Sequence, residues 1–152
     1  RDVPEAEQVH FYVPTQDGND AIACSLFYCT SGGGATSATK ANGMVCDLDS
    51  SIPIIIICHG YMSWRNQMLL AHLAGGLQNT GRFHTLRFDF VGNGHSTGSF
   101  SAANFEREFQ NVQTILTFVQ DKLQCRVACV VGHSKAATTI LRTAVEQEAH
   151  GD

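Results

Sequence analysis

The stretch "CVVGHSKAATTIL", residues 129–141, decides how the rest of the chain is read. It sets Ser134 between an apolar run and a helix-like segment. Serine is a favoured helix N-cap, so a plain capping hydroxyl is one reading. The neighbours argue for another. Val127 to Val131 is β-branched and apolar enough for a fully buried strand. Ala136 to Val145 then repeats apolar residues at helical spacing, with Ala137, Ile140, Leu141, Ala144 and Val145. Only Gly132 and His133 separate Val131 from Ser134, so the chain must reverse almost on the spot. The small residues Gly132 and Ala136, on either side of the serine, let strand and helix approach closely. A serine on such a turn is held out at the carboxyl edge of a sheet, where a nucleophile is useful. This is the pattern of a nucleophile elbow, with Ala136 in place of the last glycine of G-x-S-x-G.

Working outward, the same rhythm repeats upstream. Ile52 to Cys58 reads as a buried strand, followed by "HGYMSWRNQ". A helix is expected over 66–79, with Leu69, Leu73 and Leu77 at i, i+4 and i+8. Phe83 to Phe90 is a strand ending at "DFVGNGHSTGSF". Residues 103–123 form an amphipathic helix with Phe105, Phe109, Val112, Leu116 and Val119 on one face. Strands each followed by a helix imply right-handed crossovers and a parallel sheet covered on both faces. The N-terminal part differs. Val9 to Val13 and Ala21 to Cys29 are strand-like and flank the Asp17-Gly18 turn signal, which predicts an antiparallel hairpin. Residues 30–43, "TSGGGATSATKANG", are poor in apolar side chains and read as a flexible surface loop. Ser37 and Lys40 match S-x-x-K there, but no helix is expected to bring them together. The fold class is therefore α/β.

The totals fit one globular domain: 152 residues, 43% hydrophobic and 16% charged. A formal net charge of −4 gives no reason to expect nucleic acid or an anionic membrane surface as partner. No apolar run approaches the ~20 residues that span a bilayer. The six cysteines show neither a C-x-x-C pair nor zinc-ligand spacing, and Cys58 and Cys129 are expected as small hydrophobes within strands. No N-x-S/T sequon occurs, and a reduced, cytoplasmic compartment is the expectation. The chain opens on Arg1, as a piece of a longer protein would.

In parallel sheets chemistry gathers in the loops at the carboxyl ends of the strands, and those loops carry the unusual residues. After the first parallel strand comes His59-Gly60-Tyr61, where glycine lets the Tyr61 amide turn toward a substrate oxygen. The Lys135 amide, just after Ser134, supplies a second donor at a helix N-terminus. Two such donors make an oxyanion hole. Gly92-x-Gly94 invites a dinucleotide reading, which fails because position 97 is Thr97 and Asp89 would set a carboxylate beside the pyrophosphate. Asp89 and the glycines are expected to shape the loop, with Asp89 accepting backbone N–H bonds and not serving as the catalytic acid. No cofactor or metal is implied.

"IIIICHGYMSWRNQ", "LRFDFVGNGHSTGSF" and "VVGHSKAATTIL", in that order, resemble the α/β-hydrolase superfamily. The similar branch is the serine aminopeptidase and monoacylglycerol-lipase-like hydrolases, including cinnamoyl-esterase-like proteins. The resemblance runs from about residue 8 to the end, with an insertion at about 30–50. It implies Ser134 as nucleophile and the Tyr61 and Lys135 amides as oxyanion donors. His59, Gly60, Asp89, Gly92, Gly94, Gly132, His133 and Ala136 become scaffold. His95 stands where many relatives carry glutamate. The resemblance also implies that the strand ending at Val131 is central, with a further strand beside it later in the chain.

A serine hydroxyl needs a histidine base and an orienting carboxylate, which in this fold follow the serine in chain order. Eighteen residues follow Ser134, and they look helical. Glu146, Glu148, His150 and Asp152 are poor substitutes, and His133 is expected to point away across the turn. His10, His72 and His84 read as ordinary strand or helix residues. Acid and base are therefore expected beyond residue 152. The sequence reads as the N-terminal part of a serine hydrolase acting on small-molecule carboxylic esters. A serine peptidase and a non-catalytic binding protein of the same fold are the alternatives, and self-association of the piece is expected.

Overall fold

Four consecutive isoleucines form the centre of the molecule. The computed structural model describes residues 6–30, 39–41, 44–46 and 48–150. Strand β5 (Ile54–Cys58) is buried along its whole length. Successive side chains point to opposite faces of a strand, so a continuous apolar run serves two cores at once. Ile54, Ile56 and Cys58 join one core with Leu86, Phe88, Val112 and Ile115. Ile55 and Ile57 join the other with Leu70 and Ala74.

Around β5 the chain builds one five-stranded sheet, ordered β1-β2-β6-β5-β7. The N-terminal hairpin is β1 (Ala6–Pro14) against β2 (Ala21–Cys29), and β2 continues antiparallel onto β6 (His84–Phe88). β6 and β7 (Val127–Gly132) lie parallel on either side of β5. Helix α1 (Met68–Gln78) links β5 to β6, and α2 (Phe105–Phe118) with a π-helical turn (Val119–Leu123) leads from β6 to β7. The two crossovers run in opposite directions along the sheet. Right-handed connections then put their helices on opposite faces, so β5 is a topological switch point. Helix α3 (Lys135–His150) shares the α2 face through Ala136 and Ile140. At β5's carboxyl end, Cys58 pairs with Phe88 on one side and Gly132 on the other. The loops beginning at His59, Asp89 and His133 therefore start at one level.

Several expected details change. β7 is not a fully buried strand: it pairs only with β5 among the described residues, and Ala128 and Cys129 are exposed. Cys129 is thus a surface thiol and not a core hydrophobe, whereas Cys58 is buried. On α1 the packed stripe is Leu70, Ala74 and Gln78, while Leu69 is 56% exposed. Both stripes have helical spacing, and the position of Ile55 and Ile57 selects between them. On α3 the buried positions are Ala136, Thr139 and Thr143, and Leu141 and Val145 face outward. Within the insertion expected at about 30–50, β3 (Thr39–Ala41), in the tract read as a loop, pairs antiparallel with β4 (Met44–Cys46). Ser37 lies outside the described residues. No helix among the described residues is long and apolar enough to cross a membrane.

Candidate active site

Ser134 sits between β7 and α3 with φ of +55°, in the left-handed region that a non-glycine residue rarely adopts. The conformation follows from crowding. A Cβ on Gly132 would strike Ile140, and would lie 2.9 Å from the Ala136 carbonyl carbon. With no side chain there, α3 closes directly onto the end of β7, and the reversal falls on Ser134. The Ala136 amide donates to the His133 carbonyl (3.2 Å) and the Ala137 amide to the Ser134 carbonyl (3.0 Å), starting the helix at once. The result holds Ser134 exposed at the sheet's carboxyl edge.

Gly60 lies against it. A Cβ on Gly60 would be 2.9 Å from the Ser134 Cβ and 3.0 Å from the His133 carbonyl oxygen. The His133 amide donates to the Cys58 carbonyl (3.1 Å), which fixes the two loops together. Among the described residues, the Tyr61 and Lys135 amides have no acceptor; Lys135 opens α3, where amides lack intrahelical partners. The Tyr61 ring is half exposed and meets Phe100 edge-on, with ring centroids 5.8 Å apart.

Asp89 is wholly buried and works as a loop anchor. Its carboxylate pairs with the Arg65 guanidinium, and accepts from the Arg65 amide (2.5 Å) and the His95 amide (2.9 Å). Gly94 gives this carboxylate room, since a Cβ there would collide with it. Gly92, with φ of +82°, packs against Ser99 in the same loop. The His95 ring is over half exposed, accepts from Arg65 at Nδ1 (3.2 Å) and leans on Trp64. His59 is buried, with Nδ1 2.8 Å from the Gly60 carbonyl and Nε2 3.1 Å from the Phe90 amide. Burial holds its imidazole below the ordinary value. Burial likewise pushes the Cys58 thiol up, so the cysteine beside this site stays protonated.

Among the described residues no side chain hydrogen-bonds the Ser134 hydroxyl, and no three His, Cys, Asp or Glu side chains group as metal ligands. The His133 ring lies against Gly60, its buried Nδ1 unpartnered among the described residues. His84, read as an ordinary strand residue, is fully buried and structural: it accepts from the Cys29 amide (3.2 Å) and donates to the Asp49 carbonyl (2.8 Å). Two partners went unnoticed in the sequence. Arg65 neutralises Asp89, and Glu108 of α2 takes the Lys135 ammonium at 2.5 Å. Glu108 had a legible signal, because it shares helical spacing with the buried Val112 and Ile115. Arg65 had none, since only the fold brings it to Asp89.

The Pyrococcus furiosus esterase Pf2001 superposes with a TM-score of 0.63 at 19% identity, over 90% of this chain and 45% of its own. Est1E from Butyrivibrio proteoclasticus, solved with ferulic acid bound, gives 0.65 at 19%, over 91% and 48%. An alpha-beta serine hydrolase homologue from Coxiella burnetii gives 0.65 at 20%, over 91% and 58%. The chain has the α/β-hydrolase fold. It spans about half the length of the solved structures that it matches. No protein-family model and no curated protein matches the sequence.

Proposed function

We propose that this chain is the nucleophile-bearing part of a serine hydrolase that cleaves small-molecule carboxylic esters. The observation that carries the reading is the exposed, positive-φ Ser134 packed against Gly60, at the switch point of an α/β-hydrolase sheet. Ser134 Oγ attacks the ester carbonyl carbon as a histidine takes its proton. The carbonyl oxygen becomes an oxyanion, received by the Tyr61 and Lys135 amides. Collapse breaks the acyl C–O bond, and the alcohol leaves with that proton. Water then attacks the acyl-serine, releases the acid and restores Ser134. No described histidine reaches Ser134, so the base and its orienting acid are proposed to come from chain beyond Asp152.

That no histidine bonds Ser134 among the described residues favours one second reading, a non-catalytic protein that keeps the cleft for binding. A fluorophosphonate probe separates them, because phosphonylation requires an activated serine. We expect the full-length chain to label on Ser134 and to hydrolyse p-nitrophenyl esters. Full-length protein that is folded but neither labels nor turns over ester overturns the enzyme reading.

A further inference from the structure

We propose that Glu108, on α2, is a positioning residue for Ser134 and for the Lys135 amide, acting through the Lys135 ammonium. The inference rests on the serine-hydrolase reading above and adds to it a residue from a helix that none of the three site loops includes.

A non-glycine residue keeps a left-handed backbone only where its surroundings hold it there. Ser134, with φ of +55°, is held from the strand side by the bond between the His133 amide and the Cys58 carbonyl. On the helix side the next residue, Lys135, opens α3. Lysine is an awkward first residue for a helix. The N-terminus carries partial positive charge, which disfavours a cation, and α3 has no acid in its own first turn. Glu108 brings the absent carboxylate from the neighbouring helix.

The grip falls on the first turn of α3. Glu108 Oε1 lies 2.5 Å from Lys135 Nζ, and the Thr139 hydroxyl donates to Oε2 (3.4 Å). Lys135 and Thr139 are four residues apart, so one carboxylate spans the turn that follows Ser134. The ammonium also stands over the ring of Phe105, the first residue of α2, 4.7 Å from its centroid. The paired side chains are 11% and 12% exposed, where salt screens little. A second ion pair joins the same helices, Arg142 to Glu106 at 2.6 Å, but its side chains are 41% and 59% exposed. It meets α3 seven residues further on, away from the proposed oxyanion donor. Both pairs tie α2 to α3; only the first holds the residue next to Ser134. Neutralising Glu108 leaves the ammonium without its counter-charge, and Lys135 and the adjoining Ser134 lose that hold together. A misplacement of about 1 Å at a reacting group costs roughly 10²-fold in rate.

The test uses the full-length chain and p-nitrophenyl ester turnover. We expect Glu108→Gln and Lys135→Met each to lower kcat roughly 10²-fold with KM within a few-fold. Because Glu108 acts through Lys135, the double variant is expected to be no slower than either single one. Glu106→Gln, which breaks the other pair between the helices, is expected to keep kcat within about twofold of the parent. Parent-level kcat in Glu108→Gln, losses that multiply in the double variant, or an equal loss in Glu106→Gln overturns the proposal. Should Glu108→Gln or Lys135→Met not fold, Glu108→Asp decides, since it keeps the charge on a shorter side chain. A kcat loss beyond that of Glu106→Gln supports the proposal, and parent-level kcat overturns it. Ser134→Ala separates the two levels of inference. If it retains turnover, the serine-hydrolase reading fails whatever Glu108 does. If it is dead while Glu108→Gln matches the parent, only the positioning role fails.

Discussion

At the scale of single residues, the polar groups around Ser134 divide into chemistry and anchorage. Ser134→Ala in the full-length chain is expected to lower ester kcat by roughly 10⁶-fold, as loss of a triad serine does. Asp89→Asn is expected to act differently. Removing one partner of a buried ion pair leaves Arg65 unbalanced and costs about 3–5 kcal/mol of stability. Urea unfolding reads that loss, with a smaller drop in kcat than for Ser134→Ala; unchanged stability contradicts the anchoring role. Two buried histidines add a pH dependence. Burial holds the His59 and His84 imidazoles below the ordinary histidine value of about 6.5 that applies in the unfolded chain. Between the two values the unfolded state binds more protons, so stability is full above about pH 7 and falls as the solution is acidified. The slope is about 1.4 kcal/mol per pH unit for each ring while only the unfolded state is protonated. Denaturant midpoints measured from about pH 7.5 to 5 check the sign, and a midpoint that rises on acidification contradicts it. Ser134, Gly60 and Asp89 were legible because each sits in a short motif with a mechanical reason. The ring partners of His59 and the Arg65 ion pair were not, because they join residues from separate loops.

At the scale of elements, the order of strands and helices followed from periodicity and turn residues, while the choice of buried face did not. Leu69, Leu70, Leu73, Ala74 and Leu77 offer two overlapping apolar stripes on α1. Nothing local separates them; Ile55 and Ile57 take the one through Leu70. Leu70→Ala is expected to cost about 2–5 kcal/mol, and Leu69→Ala to stay within about 0.5 kcal/mol. Thermal or urea unfolding distinguishes them, and the reverse ranking would restore the stripe read from sequence. β7 posed the same difficulty in another form. Its apolar, β-branched run suits a strand flanked on both sides, yet it is paired on one side only among the described residues. The pattern records what a strand is built to meet, and the described neighbours meet only part of it.

At the scale of the whole molecule, the described residues hold the sheet's switch point and the candidate nucleophile, and they leave β7 as an open edge. An unpaired, partly apolar edge recruits other strands. The 1–152 chain by itself is expected to sediment as more than a monomer, and Cys129→Lys to reduce that association. A monodisperse monomer at working concentrations contradicts this. All of this turns on Ser134 being, as proposed, an activated nucleophile in the full-length chain. Peptide mapping by mass spectrometry after fluorophosphonate treatment tests it most directly. A single adduct on the peptide containing Ser134 is expected, lost in Ser134→Ala and absent from the isolated 1–152 chain. An adduct on a different residue, or a folded full-length chain that takes no label, would contradict it.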